Sequence, residues 1–482
     1  MASTTRRRRS SYNLRPHWMT TKRMVLFGVI AVVLLVGSYG FRLALALGHA
    51  FHTNPISAIF GAISGGHGSN VEREQQNLQR INIMLYGYGG TGHDGAFLTD
   101  SIMLVSIQPQ PNGPPQIAEI SIPRDWYVPV QLGNNKTKFG RINEAYEDGL
   151  FGDGPAPASA PNAGAATADL TMQHLLGINV DHWVGVDFTA FKEAVDAVGG
   201  IDVDVQNTFT DTQYPAGECN EGYGNCGFMT VHFNAGPQHM DGATALIFAR
   251  SRHGDNGEGS DFARSRRQQL IIQALKQKVV SIGGIGNLPD LLNALGDNMA
   301  TDLQIGDVEA LYGLVKDVNP ASIEHVSIDD TNFLYECGYP QNCGAYYIYA
   351  HDQSFQTVSH YIENIFPSEA ALGEKAQVTF VDASGRGLDA SGRWAKVMDM
   401  LTLNCSDGGT AQQRVATQVI DDSGGKDAST AKWLASYFGV SVTTEKPSHS
   451  GTTGQQTGTG GITVVLGSNE ENAFLGNPGV GT

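Results

Sequence analysis

The chain has 482 residues, with 31 Lys and Arg against 48 Asp and Glu and a formal net charge of −17. Seven of the basic residues and none of the acidic ones fall within residues 1–23, which leaves 24 basic and 48 acidic residues in the remainder. An acidic remainder excludes general binding to nucleic acid, which needs a basic face, and the length predicts two folded units with tails.

A long apolar segment follows the basic tail. Residues 24–41 contain no charged side chain, and the apolar run resumes after Arg42 and continues to residue 47. Roughly 20 apolar residues cross a bilayer, and flanking basic residues stay on the cytoplasmic side. We therefore expect one transmembrane anchor at 24–47, with residues 1–23 in the cytoplasm and the rest outside. A cleaved signal peptide is the alternative, but the run is longer than its usual apolar core and no Ala-x-Ala site ends it.

The five cysteines agree with a location outside the cytoplasm. Cys219 and Cys226 bracket one short loop, and Cys337 and Cys343 bracket another. Two local disulfides are expected in an oxidising compartment. Zinc is the alternative, but the spacings of seven and six and the lack of nearby His argue against it. Cys405 lies outside both pairs.

A stalk at 48–79 precedes a unit in which strands alternate with helices. Short runs rich in Ile, Leu, Met and Val predict strands, and apolar residues at helical spacing predict helices. The strands are expected at 81–86, 101–107, 117–122, 180–186 and 201–205, and the helices at 171–176, 188–198 and 270–280, with two further helical pieces in 288–318. Residues 350–365 complete the unit. The Gly, Ala and Pro-rich residues 152–166 read as a surface loop. This alternation predicts a layered α-β-α domain with a central mixed sheet over 80–366.

A second, smaller α/β unit is expected at 374–470. Its strands are predicted at 377–381, 414–420, 440–444 and 462–466, and its helices at 388–401 and 429–438. A low-complexity insert at 448–461 interrupts it, and residues 471–482 form a tail. No constellation of ionisable residues stands out in this unit.

Five arginines fall within eighteen residues of the first unit: Arg250, Arg252, Arg264, Arg266 and Arg267. If residues 246–252 are extended, Arg250 and Arg252 point to the same side; if Asp261 caps a helix, Arg264 and Gln268 share one face. Guanidinium groups are permanently charged bidentate donors suited to phosphate or pyrophosphate. The alternative is a solvated basic loop with surface ion pairs. Arg266 falls on a different helical face and reads as a surface charge.

Two other stretches carry polar groups at the ends of strands. Residues 87–92 satisfy G-x-G-x-x-G, but a strand rather than a helix follows and no acid stands at the required distance, which argues against dinucleotide binding. Asp100 lies where this glycine-rich loop leads into the next strand. A carboxylate at such a position is either an ordinary turn residue or a ligand for Mg²⁺ beside substrate phosphates. Pro123 ends the next strand and directs Arg124 outward, with Asp125 as its natural partner. Neither G-x-S-x-G nor H-E-x-x-H occurs, so serine hydrolase and zincin chemistry have no local support.

Together these blocks resemble the LytR-CpsA-Psr family of cell-wall glycopolymer transferases. The blocks agree in order and spacing over roughly 190 residues. They are residues 82–85, 98–104, 121–125, 141–146, 198–203, 240–246, 248–252 and 261–264, with Arg267 and Gln268. The resemblance implies transfer of a glycan phosphate from a polyprenyl-pyrophosphate carrier to a cell-wall acceptor, usually a peptidoglycan sugar hydroxyl, with Mg²⁺ or Mn²⁺ as cofactor. The unit at 374–470 is similar to the small accessory domain that often follows in this family.

The resemblance also implies roles for individual residues. Asp100 matches the metal-binding aspartate, Arg124, Arg250 and Arg252 match the pyrophosphate arginines, and Asp261, Arg264 and Gln268 match the remaining polar positions. The chain departs from the family at Gly89, where a second aspartate is common, and at Leu98, where an arginine is usual. We hypothesise that Asp94 or His93 supplies the missing ligand or charge.

Some assignments stay open from the sequence alone. Asp125 and Asp261 are both candidates for the general base, and each is equally suited to orienting an arginine. The lipid carrier requires an apolar tunnel, which the apolar sides of the strands and of residues 195–198 are expected to line. A non-catalytic protein that binds lipid pyrophosphate, and a plain pyrophosphatase, are the alternatives to a transferase.

Overall fold

The computed structural model describes residues 69–93, 95–133, 135–152, 162–216, 227–281, 298–319, 322–329, 333–337, 347–350, 355–385, 404–444 and 461–468. The predicted anchor at 24–47, the pair Cys219 and Cys226, Cys343 and the predicted helix at 388–401 lie outside these residues. Within the described ranges, no helix is both long and apolar enough to cross a membrane.

The first unit contains fourteen described strands. They are β1 (Ile81–Tyr88), β2 (Thr99–Gln108), β3 (Gln116–Ile122), β4 (Tyr127–Gly133), β5 (Lys136–Arg141), β6 (His182–Asp187), β7 (Ile201–Val205), β8 (Phe209–Pro215), β9 (Phe228–Phe233), β10 (Gly236–Met240), β11 (Met299–Thr301), β12 (Ile323–Ser327), β13 (Leu334–Cys337) and β14 (Tyr347–Ala350). Its described helices are α1 (Asn70–Gln76), α2 (Glu144–Leu150), α3 (Asn162–Leu176), α4 (Phe188–Ala197), α5 (Gly242–Arg250), α6 (Asp261–Ser281), α7 (Ile305–Val315) and α8 (Gln356–Glu363).

Six of these strands form a central mixed sheet in the order β11-β6-β1-β2-β3-β12. β1 pairs antiparallel with β2 and parallel with β6, and β3 pairs antiparallel with β2 and parallel with β12. Helices cover both faces, so β1 is buried along most of its length. Met84 and Tyr86 face a core completed by α2 and α3, whereas Ile83 and Leu85 face the opposite side with α1 and α7. The expected layered arrangement with a mixed sheet is therefore confirmed.

Four strands of the central sheet, β1, β2, β3 and β6, agree with the sequence to within two residues, whereas β11 and β12 were not predicted. Two other local expectations are wrong. Residues 246–252 are not extended, because Asp241 accepts a hydrogen bond from the Thr244 amide at 2.8 Å and starts α5, which runs to Arg250. The expected loop at 152–166 is shorter, since α3 begins at Asn162. The hairpins β4–β5 and β8–β9 were not predicted.

The second unit contains a five-stranded sheet. Its elements are α9 (Glu369–Glu374), β15 (Gln377–Asp382), β16 (Asn404–Thr410), β17 (Gln418–Asp421), α10 (Ala428–Tyr437), β18 (Val442–Thr443) and β19 (Ile462–Leu466), with strand order β16-β15-β19-β17-β18. β19 has its predicted bounds, β17 begins four residues later than expected, and β16, which carries the half-buried Cys405, was not predicted. Its relationship to an accessory domain stays a prediction.

The tight packing of α2 on α3 generates a stability prediction. A Cβ atom added at Gly149 in α2 would lie 2.3 Å from the carbonyl oxygen of Ala163 in α3. Gly149→Ala should therefore lower the free energy of unfolding by about 1–3 kcal/mol. Gly313→Ala in α7 is the matched control, since nothing lies within 4 Å of its Cβ, and it should stabilise by about 0.5–1 kcal/mol. Urea denaturation of both variants measures this, and a Gly149→Ala protein as stable as the wild type would contradict the packing.

Candidate active site

A cavity of about 540 Å³ lies between the central sheet and helices α4, α5 and α6. Its polar lining includes six residues singled out from the sequence: Asp100, Arg124, Arg250, Arg252, Arg264 and Gln268. Its apolar lining comes from the sheet and the three helices and includes Leu85, Met103, Val184, Phe191, Ala194, Leu246, Ile271, Ile272, Leu275 and Val279. The structure thus brings the predicted arginines into one cavity with a large apolar surface.

Helix α6 shows how the polar and apolar parts are arranged. Arg264, Gln268, Ile272, Leu275 and Val279 all line the cavity and recur at helical spacing. The face is polar in the first two turns and apolar afterwards, over a length of roughly 22 Å at 1.5 Å per residue. The cavity is therefore amphipathic along the helix axis.

The apolar residues expected from α4 are not the ones that line the cavity. Val195 and Val198 are buried in a separate core cluster with Phe209 and Phe248. The helix instead presents Phe191 and Ala194 to the cavity. Helix α4 has apolar residues on two sides, Phe191 and Ala194 on one and Val195 and Val198 on the other, and spacing alone does not show which side meets the cavity.

Arg124 is held in place by two carboxylates. Its Nη1 pairs with Asp100, and its Nε donates to Asp125 Oδ2 at 3.1 Å. The other oxygen of Asp125 lies 3.3 Å from Arg141 Nε. Asp125 is buried, and it is absent from the cavity lining, which contains Arg124. This geometry fits an orienting group between two guanidiniums.

Arg250 ends α5 and lies over the ring of Phe188, with its Cζ 4.2 Å from the ring centroid. The centroid of a second ring, that of Tyr214, lies 5.9 Å from the same Cζ atom. Burial raises the pKa of Tyr214, although the neighbouring Arg250 acts in the opposite direction. The start of α4 is fixed by Asp187, which accepts a hydrogen bond from the Ala190 amide at 2.8 Å. Two rings therefore orient Arg250 toward the cavity.

Asp211 on β8 is a site residue that the sequence did not reveal. It is fully buried, and its Oδ2 accepts hydrogen bonds from Ser251 Oγ at 2.6 Å and from the amides of Arg252 and His253 at 3.1 Å each. Burial by itself raises the pKa of this carboxyl, but the hydrogen bonds outweigh it and hold the pKa below its ordinary value. Asp211 therefore fixes the backbone that carries Arg252.

Arg267 ties α6 to the end of α5. Its side chain is buried, and it donates to the carbonyls of Phe248 at 3.0 Å and of Ser251, and pairs with Glu258. Burial lowers the pKa of Arg267, and Glu258 opposes the change. Arg267 therefore has a positioning role, whereas Arg266 is exposed, as the helical spacing predicted.

Helix α6 is capped by a different residue from the expected Asp261. The Ala263 amide donates to Ser260 Oγ at 3.1 Å, so Ser260 caps the helix one residue before Asp261. The Asp261 side chain lies outside the described part of the structure. Gln268 reaches the sheet, where its Oε1 accepts a hydrogen bond from Ser101 Oγ at 3.0 Å. The predicted shared face of Arg264 and Gln268 is present.

Few of the described side chains around the cavity could bind a metal ion. Among the described residues, no group of three or more His, Cys, Asp or Glu side chains is positioned to hold a metal ion. Mg²⁺ commonly takes one or two carboxylates and completes its shell with water and substrate phosphate oxygens, so the partly exposed Asp100 fits such a site as one ligand. Asp94 lies outside the described residues. A Cβ atom added at Gly89 would come within 2.9 Å of His93 Cβ, so His93 would have to shift to admit an aspartate at this position.

The chain is similar in sequence and in structure to known proteins. A model described as the LytR_cpsA_psr family matches residues 57–361. The chain is 28% identical over 313 residues to polyisoprenyl-teichoic acid–peptidoglycan teichoic acid transferase TagV of Bacillus subtilis, covering 64% of this chain and 70% of that protein. It is 30% identical over 239 residues to the corresponding transferase TagU of Enterococcus faecalis, covering 49% and 65%. A crystal structure of B. subtilis TagV aligns with a TM-score of 0.44 at 25% identity, over 59% of this chain and 96% of that one.

Replacement of Asp211 by Asn tests its role behind Arg252. The lost charge-assisted hydrogen bonds should lower the free energy of unfolding at pH 7 by about 1–3 kcal/mol. Because the pKa of Asp211 is lower in the native state than in the unfolded state, the unfolded state binds more protons. The stability that Asp211 contributes is therefore complete above its unfolded pKa of about 3.9. It is lost as the pH falls through the pKa of the native state. Urea denaturation at pH 7 and below pH 4 should show the difference from wild type shrinking in acid. Asp202→Asn, whose side chain is 72% exposed, is the control and should change stability by less than about 0.5 kcal/mol; an equal effect of both variants would contradict this role.

Proposed function

Because the chain belongs to the LytR-CpsA-Psr family, we propose that it is a phosphotransferase that moves a glycan phosphate from a polyprenyl-pyrophosphate carrier to a cell-wall acceptor, such as a peptidoglycan sugar hydroxyl. The relatives are named as transferases of polyisoprenyl-linked teichoic acid to peptidoglycan. In this proposal the protein acts at the outer face of the cell membrane, held there by the predicted anchor at 24–47.

The amphipathic cavity is the observation that carries the proposal. A polyprenyl pyrophosphate has a long apolar chain joined directly to a doubly charged headgroup. The apolar face of α6, from Ile271 to Val279, suits the chain, and burial is favourable by roughly 25 cal/mol per Å² of apolar surface. Arg264 and Gln268 on the same helix, with Arg250 and Arg252 beside them, suit the pyrophosphate.

The proposed reaction needs charge neutralisation and positioning more than covalent catalysis. The acceptor hydroxyl attacks the phosphorus that bears the glycan, a new P–O bond forms, and the bond to the bridging oxygen breaks. Polyprenyl phosphate leaves with the bonding pair, and Arg124, Arg250 and Arg252 stabilise the charge that develops on it. The hydroxyl proton passes to a base. Asp125 contacts a guanidinium through each oxygen, which favours an orienting role for it.

A divalent cation is expected beside the arginines. Asp100 would hold Mg²⁺ or Mn²⁺ together with substrate phosphate oxygens, and the ion would supply further neutralisation of the pyrophosphate. His93 contacts the ring of Phe188 edge-on at 5.1 Å, and Phe188 lies under Arg250. His93 therefore lies near Arg250, which supports the hypothesis that His93 or its chain neighbour Asp94 supplies the missing ligand or charge.

Full-length protein mixed with a polyprenyl-pyrophosphate glycan, Mg²⁺ and an acceptor glycan tests the function. Arg250→Ala should lower the rate of transfer by about 10²-fold or more, because a donor to the leaving group is lost. Arg266→Ala removes an exposed charge on the neighbouring helix α6; it is the control and should retain the wild-type rate. Transfer of the glycan supports the proposal. Binding without release would indicate a regulatory protein, release without transfer a pyrophosphatase, and full activity of Arg250→Ala would exclude all three.

The same assay tests the metal. Removal of divalent ions with a chelator should abolish transfer, and Mg²⁺ or Mn²⁺ should restore it. Asp94→Ala should raise the Mg²⁺ concentration needed for half-maximal activity by about tenfold, equivalent to the loss of roughly 1.4 kcal/mol of binding free energy. A Mg²⁺ dependence identical to that of the wild type would rule out the contribution of Asp94.

A further inference from the structure

A group of five aromatic side chains lies on the outer side of two hairpins, β4–β5 and β13–β14. We call Tyr127, Phe139, Tyr335, Tyr347 and Tyr349 the aromatic platform. The Tyr127 ring is the centre, with ring centroids 6.0 Å from Phe139, 4.8 Å from Tyr347 and 5.5 Å from Tyr349. Tyr335 and Tyr349 are cross-strand partners with stacked rings at 5.8 Å. Rings from four strands therefore form one continuous surface.

This surface faces solvent rather than the core. Phe139 is 64% exposed and the four tyrosines are partly exposed. The residues that alternate with them, such as Val128 and Ile348, are fully buried. Cross-strand pairing explains Tyr335 opposite Tyr349. It does not explain why a ring as exposed as that of Phe139 extends the same surface.

The platform connects to the polar part of the cavity through one carboxylate. The Arg141 Cζ lies 5.2 Å from the centroid of the Tyr347 ring, and its Nε is 3.3 Å from Asp125 Oδ1. The other oxygen of Asp125 accepts the hydrogen bond from Arg124, which lines the cavity. Tyr127 follows Arg124 by three residues, so their Cα atoms are at most about 11 Å apart. A ligand lying on the platform would therefore lie beside Arg141, which Asp125 links to Arg124 of the cavity.

We infer that the aromatic platform binds pyranose rings of the acceptor glycan and presents a sugar hydroxyl to the arginine-lined part of the cavity; this rests on the proposed function. A pyranose has a face of C–H groups and a rim of hydroxyls. The electron-rich face of an aromatic ring attracts the C–H groups, while tyrosine hydroxyls and Arg141 supply partners for the rim. A bilayer would match the exposed aromatic surface as well, but it does not need a position next to Arg124, whereas the acceptor of phosphoryl transfer does.

The test compares full-length variants for binding to soluble, uncross-linked peptidoglycan strands and for transfer. The double variant Tyr127→Ala/Phe139→Ala should raise the dissociation constant for the strands, and the KM for the acceptor, by about tenfold, while the KM for the lipid donor stays unchanged. Tyr127→Phe, which keeps the ring, should remain within about twofold of wild type. Phe151→Ala removes an aromatic ring that is 72% exposed outside the platform and should have no effect. Phe139→Ala alone, an exposed site, provides a readout independent of any loss of folding at Tyr127, and it should raise both constants about threefold.

The possible results separate this inference from the function on which it rests. A wild type that shows no transfer overturns the proposed function. A wild type that transfers, with strand affinity and acceptor KM unchanged in both Phe139→Ala and the double variant, overturns the platform alone. Loss of binding to anionic lipid vesicles without loss of binding to strands would identify the surface as a membrane contact and also overturn it. Equal losses in the double variant and Phe151→Ala would do the same.

Discussion

The candidate site depends on one buried guanidinium, that of Arg267. It bonds to the carbonyls of Phe248 and Ser251 at the end of α5 and pairs with Glu258 in the following loop. A cation is favoured at the carbonyl end of a helix, and a buried charge must be paired to be tolerated. Because Arg267 lies on α6, it sets the spacing between the arginines at the end of α5 and those at the start of α6.

With that spacing fixed, the remaining site arginines are oriented by other partners. Asp100 and Asp125 hold Arg124, the ring of Phe188 lies under Arg250, and Asp211 fixes the backbone of Arg252. Donors held in this way need little reorganisation when charge develops on a substrate, which is the property that electrostatic catalysis requires. The same helix that begins with Arg264 continues as the apolar wall of the cavity, so one element is suited to both chemical halves of a lipid pyrophosphate.

Local patterns predicted four of the six strands of the central sheet and the arginines, but not the contacts that position them. Short runs rich in branched residues predicted β1, β2 and β3, and spacing predicted the shared face of Arg264 and Gln268. The apolar run before Arg250 is so short that its pattern fits either a helix or a strand. Asp241 caps this segment and makes it a helix, and the sequence analysis did not include that cap. Asp211 is hydrogen-bonded to Ser251, which lies 40 residues later in the chain, and Glu258 forms an ion pair with Arg267 of α6. Such partners leave no periodic signal in the sequence.

The central claim is that the cavity holds a lipid chain with its pyrophosphate at the arginines. It is tested most directly with a polyprenyl pyrophosphate that carries a photoreactive diazirine in its chain, cross-linked to the full-length protein and mapped by mass spectrometry. We expect adducts on Ala194, Ile272, Leu275 and Val279, and their loss when unlabelled polyprenyl pyrophosphate competes. Adducts that avoid all the residues lining the cavity, or that persist under competition, would contradict the account.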